Sequence, residues 1–129
     1  MQRDEGEDRL NVHRAALEPT VAHGGEGRIG VARVAVAGDL AAPCNFIDVA
    51  ELPPGTSIGR HRHASDEEEL YLVLEGSGTM WRDGEEFPVG PGDLVRNRPG
   101  GAHGLVNDGD GPLRLFVIEL AVPGNGSGV

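Results

Sequence analysis

From Arg28 onward the chain breaks into short apolar-rich runs separated by turn residues. Ile29, Val31, Arg33 and Ala35 alternate with Gly30, Ala32, Val34 and Val36 before Gly38-Asp39, which predicts a strand. Phe46 to Leu52 reads as a second strand, closed by Pro53-Pro54-Gly55. Further strands are predicted over Ser57 to His63, Leu70 to Leu74, Gly78 to Arg82, Glu85 to Val89, Asp93 to Arg98, His103 to Asn107 and Leu113 to Ala121. Their separators are Glu75-Gly76, Asp83-Gly84, Gly90-Pro91-Gly92, Pro99-Gly100-Gly101 and Asp108-Gly109-Asp110-Gly111, of which Asp83-Gly84 is the sharpest hairpin signal. No helical period of useful length and no repeat interrupts this pattern. An all-β jelly-roll barrel over residues 29–122 is expected, because closure limits exposed strand edges. Residues 1–28 are polar and aperiodic and are expected to form a flexible arm or one loosely attached strand, away from the function. Residues 123–129 are expected to be a flexible tail.

Composition narrows the picture. With 129 residues and 38% hydrophobic content, the chain can build one core but not two. Its 21 Gly and 9 Pro fit many short strands. The 21 Asp+Glu against 11 Lys+Arg give a formal charge of −10, which argues against nucleic acid and anionic membranes as partners. No run approaches the roughly 20 apolar residues of a membrane span, and the start is acidic, so a cytoplasmic protein is expected. Cys44 is the only cysteine; its apolar neighbours predict a buried small hydrophobe. His13 and His23 lie among polar residues and are expected to be solvent-exposed.

The remaining histidines carry the candidate chemistry. In an extended His61-Arg62-His63, side-chain alternation puts both imidazoles on one side. Glu69 heads one of the following strands and His103 another, and antiparallel neighbours inside a barrel can bring all four together. Three imidazoles and one carboxylate suit Fe, Mn, Zn, Ni or Co.

These residues resemble the cupin superfamily, as a small single-domain member. Its first motif is matched by Gly55, His61, His63, Glu69 and Gly76, and its second by Gly92, Gly100, His103 and Asn107, with 15 residues, Ser77 to Pro91, between the two. There are two departures. Five residues, Ala64 to Glu68, separate His63 from Glu69, one more than the usual limit, so that Glu67 and Glu68 compete for the carboxylate position. Arg98 stands where proline is usual. The resemblance implies a cupin-type barrel, one divalent transition metal held by His61, His63, Glu69 and His103, and a structural role for Asn107.

Four protein donors on a metal that takes six leave two adjacent positions for a ligand. An enzyme acting on a small oxygen-rich metabolite, of isomerase, cyclase, lyase or dioxygenase type, is the leading expectation; the alternative is a non-catalytic module that binds a sugar or other small molecule. Tyr71 shares the face of Glu69, and Arg96 is the other catalytic candidate. Alternation leaves open whether Arg96 or Asn97 faces inward, and Arg96 and Arg98 also fit as surface partners of nearby acids. A homodimer is expected, with the Arg28 to Val36 strand available to cross to the partner.

Overall fold

The structure is a computed structural model, and it describes residues 9–124. Ten strands form: β1 (Glu18–Thr20), β2 (Ile29–Val36), β3 (Cys44–Leu52), β4 (Ser57–Arg62), β5 (Glu67–Glu75), β6 (Gly78–Arg82), β7 (Glu85–Val89), β8 (Leu94–Asn97), β9 (Ala102–Val106) and β10 (Leu113–Ala121). One 3-10 turn, Val12–Arg14, precedes them. The strands pair antiparallel in two sheets, one in the order β1-β2-β3-β10-β5-β8 and one in the order β4-β9-β6-β7. This is the expected jelly-roll architecture. Asp83 and Gly84 turn the β6–β7 hairpin with φ of 49° and 89°, the left-handed pair that a two-residue turn demands. Among the described residues no helix is long and apolar enough to cross a membrane.

The core lies between the sheets. Ile29, Leu52, Met80, Leu105, Leu113 and Leu115 are each at most 2% exposed. Burying such a side chain contributes about 1.5–3 kcal/mol, so these six alone outweigh any single polar contact in the barrel. Alternation supplies them: in β10, Leu113, Leu115 and Val117 point inward at every second position. Cys44 is buried and free, as its apolar setting predicts.

Described residues before Ile29 are built into this frame. β1 pairs with β2 through Glu18↔Val31, Pro19↔Gly30 and Thr20↔Ile29. Leu10, Val12, Ala15 and Leu17 pack on a second small cluster of Ala32, Val34 and Val49. Arg114, 6% exposed, ties the segment down by donating to the Val12 carbonyl at 2.7 Å while pairing with Glu51 at 2.9 Å. β2 pairs with β3 through Gly30 to Val36, whereas β1 covers only the Ile29, Gly30 and Val31 part of its other side. The expected 123–129 tail falls largely on residues 125–129, outside the described range.

Candidate metal centre

The two sheets meet at a cluster of four donors. His61 comes from β4 and His103 from β9, and the two are direct cross-strand partners. A register irregularity between Ile58 and His61 rotates the end of β4, and the chain leaves the strand after Arg62. His63 therefore sits one residue beyond β4, yet its ring still turns to the side of His61. Glu69 approaches from the other sheet, on β5. His61 Nε2 lies 3.2 Å from His63 Nε2, and Glu69 Oε1 lies 3.4 Å from His63 Nε2 and 3.0 Å from His103 Nε2. One donor atom from each of the four residues lies within 4.8 Å of all the others. On an ion with metal–ligand bonds of 2.0–2.1 Å, adjacent donors stand roughly 3 Å apart and opposite ones roughly 4 Å, which is the scale of these separations.

The surroundings of the donors fit such an ion. Nδ1 of His61 donates to the Gly59 carbonyl at 2.8 Å, which leaves the Nε2 lone pair facing the cluster. On the far side of His63, Nδ1 faces Glu119 Oε1 at 3.2 Å and Glu67 Oε1 at 3.4 Å, a carboxylate backing that orients the ring and raises its basicity. His103 is 1% exposed, and its Nδ1 has no hydrogen-bond partner. Hydrogen bonding to Glu69 outweighs burial and lifts the His63 pKa to about 9. His61 drops to about 4, chiefly through burial. Burial on its own would raise Glu69, but hydrogen bonds from His103 and His63 overcome it and hold the carboxyl at about 2, so the carboxylate stays ionised.

Glu69 is the carboxylate that joins the three imidazoles, and its two neighbours are placed differently. Glu68 faces outward and pairs with Arg96. Glu67 faces the same side as Glu69 but lies behind His63, where it accepts from the Ala64 amide at 2.9 Å. The extra residue between His63 and Glu69 is absorbed by the turn at Ser65 and Asp66.

Tyr71 and Arg96 part company. Tyr71 is buried beside the cluster, its ring edge-on to His103 with centroids 5.3 Å apart. Burial, together with the charge of Glu69 and a hydrogen bond to it, pushes the phenol well above its ordinary pKa, so the group is a donor rather than a base. Arg96 points away: its side chain is 56% exposed and bound to Glu68. Asn97 takes the inward position opposite Glu69, is 1% exposed, and has neither side-chain polar atom hydrogen-bonded. Arg98, at the position usually held by proline, follows the end of β8 and is exposed.

A cavity of about 80 Å³ reaches Glu69 and Tyr71, and its wall includes His23, Arg33, Phe46 and Asp48. Arg33 is the cationic group that the cavity does present. It donates to both Asp48 oxygens, at 2.9 and 3.1 Å, and lies over the Phe46 ring at 4.1 Å. Sequence reasoning missed Arg33, Glu119 and His23, because each reaches the cluster or its cavity from a strand or turn remote in the chain. His13 is exposed as expected. His23 is exposed on one side only, since its ring stacks on His61 with centroids 3.5 Å apart and planes 6° apart.

The sequence profile of the cupin domain matches residues 48–119, more than half of the chain, and this protein belongs to that family. Its relatives include the Oxalate-binding protein of Thermotoga maritima, 28% identical over 97 residues, an alignment covering 75% of this chain and 79% of the relative. A solved structure described as a predicted oxalate decarboxylase from Thermotoga maritima superimposes with a TM-score of 0.83 at 24% identity, covering 88% of this chain and 99% of the other. A sugar phosphate isomerase from Silicibacter pomeroyi does so with a TM-score of 0.70 at 23% identity, covering 89% and 76%. Asn107 is fully buried and bonded only to backbone, as a structural residue would be.

Proposed function

We propose that the protein is a metal-dependent cupin enzyme that acts on a small oxygen-rich metabolite bound beside His61, His63, Glu69 and His103. The observation that carries this reading is the convergence of three imidazole Nε2 atoms and one buried carboxylate oxygen from both sheets. A divalent Fe, Mn, Zn, Ni or Co ion held there would polarise a ligand carbonyl or carboxylate, or lower the pKa of bound water. The chain's own groups do the rest. Glu69 stays ionised as the one anionic donor. Asn97, with unpartnered amide atoms beside Glu69, offers a hydrogen bond that costs nothing to redirect to a ligand. Tyr71 holds its proton and donates to a ligand oxygen. Arg33, rather than Arg96, supplies positive charge on the cavity wall.

Cavity size supports a small ligand. About 80 Å³ is far below the roughly 300–1,000 Å³ that enclose drug-sized molecules, so a nucleotide or disaccharide does not fit without rearrangement. Relatives named for oxalate binding and for sugar phosphate isomerisation point to the same class, compact molecules with neighbouring oxygens. Titration of the cobalt-substituted protein with dicarboxylates, hydroxy acids and sugar acids tests the reading: chelation shifts the visible spectrum. A spectrum unmoved by all of them refutes a ligand at the metal. Binding without turnover, under air and under nitrogen alike, shifts the conclusion to a binding module, the reading favoured by the name of the Thermotoga relative.

A further inference from the structure

We infer that His23 is a positioning residue of the metal site, held by the N-terminal segment against His61 so that the Nε2 of that ring stays aimed at the other donors. This rests on the cluster being a metal site. The rings of His23 and His61 are parallel to within 6° at a centroid distance of 3.5 Å, which is full face-to-face contact. One face of His61 is thereby covered, and its Nδ1 is fixed by the Gly59 carbonyl at 2.8 Å. Rotation of the ring is opposed both at its edge and across its face.

The backbone around His23 is arranged to deliver it. The Ala22 carbonyl accepts from the Gly25 amide and from the Gly59 amide, both at 2.9 Å. Glu26 accepts from the Ser57 amide at 3.0 Å, and its own amide donates to Ser57 Oγ at 2.8 Å. The segment is thus bonded along β4, the strand that carries His61. Gly59 lets it come so close: a Cβ there would lie 2.0 Å from the His23 carbonyl oxygen. One glycine therefore holds the arm with its amide and the ligand histidine with its carbonyl.

The turn itself gives the independent argument. Ala22 to Gly25 is a hydrogen-bonded four-residue turn in which both central residues have positive φ, 50° at His23 and 68° at Gly24. Such a turn favours Asn-Gly or Gly-Gly. Histidine at its first central position is locally inferior to asparagine or glycine, and backbone strain of this kind concentrates where side chains have a task. The contact that this ring makes is with a metal donor.

This arrangement makes the test clean, because the variants that remove the ring also suit the turn better. In the full chain, His23→Asn and His23→Gly should leave the melting temperature of the metal-free protein unchanged or higher. Their affinity for cobalt, measured by competition with a chelator, should fall about tenfold, the lower end of the loss seen when a ligand's supporting group is removed. The cobalt visible bands should shift with it. His23→Phe keeps an aromatic face without ring nitrogens and should recover affinity to within about threefold of the unaltered protein. Unchanged affinity and spectrum in the Asn and Gly variants would overturn the inference while leaving the metal site standing. Failure of the Phe variant to recover affinity, with its fold intact, would overturn the stacking role. If the unaltered protein takes up no cobalt, the metal-site reading fails and the inference falls with it.

Discussion

Asn107 follows the strand that carries His103, and alternation puts both on the same inward face, yet the structure assigns the two opposite work. Four residues apart at about 3.3 Å each, they are separated by roughly 13 Å, which takes Asn107 out of reach of the cluster. Its Nδ2 donates to the Leu52 carbonyl and to the Gly111 carbonyl, both at 2.8 Å, and its Oδ1 accepts from the Gly109 amide at 3.0 Å. One side chain thereby joins the end of β3 to the turn between β9 and β10. In Asn107→Ala, Gly111 is exposed and Gly109 half-buried, so both regain partners from water and their loss is small. Leu52 is 0% exposed, and its carbonyl loses a partner that water does not replace. An unsatisfied buried acceptor costs about 1–3 kcal/mol, and the two part-buried bonds about 0.5 kcal/mol each. The sum is about 2–4 kcal/mol. For a chain of this size that lowers the melting temperature by roughly 10 °C. Calorimetry of the metal-free protein measures the shift, and elemental analysis of the loaded protein should still find about one metal per chain. A variant that melts normally but binds no metal would refute the division of labour between Asn107 and His103.

His61→Ala and His103→Ala should show the reverse, with metal content falling toward zero while the β-type circular dichroism persists, because the core rests on apolar strands; loss of that spectrum would make the ion structural. Asn97→Leu removes two unpartnered buried polar atoms and should raise stability by about 1 kcal/mol or more, while weakening ligand chelation at the cobalt-loaded site. A destabilised variant with normal ligand affinity would refute a ligand-directed role for Asn97. A homodimer remains our proposal; light scattering at micromolar concentration should give twice the chain mass of 13.5 kDa, and a monomer would count against it.

The strands from Ile29 onward were legible because the period-two pattern and its Gly, Pro and Asp-Gly punctuation agree residue by residue. The four donors were legible through their spacing within matched motifs. Phase was harder. Leu94 and Val95 are both apolar, so the sequence alone does not say which faces the core; in the structure Val95 is 6% exposed and Leu94 is 65% exposed. That choice sends Asn97 inward and Arg96 out to Glu68. β1 was expected only as one loosely attached strand without bounds, because a three-residue strand containing Pro19 carries no measurable period. Glu119 hides at the end of an apolar strand that reads as core. His23 lacks a sequence signature, since its partner is 38 positions away and the contact is made by the fold rather than by any local pattern.

His61 and His103 belong to the sheet that holds β4 and β9, His63 follows β4 directly, and the carboxylate belongs to the other sheet. Glu69 and His103 are 34 residues apart in the chain and lie on different sheets, so the donor set is complete only once the two sheets have met. A chain in which one sheet has formed and the other has not offers an ion only neutral nitrogens, and holds it less firmly than the closed barrel does. On the metal reading proposed above, uptake of an ion would report barrel closure in a refolding experiment, the full donor set being available only when the two halves lock.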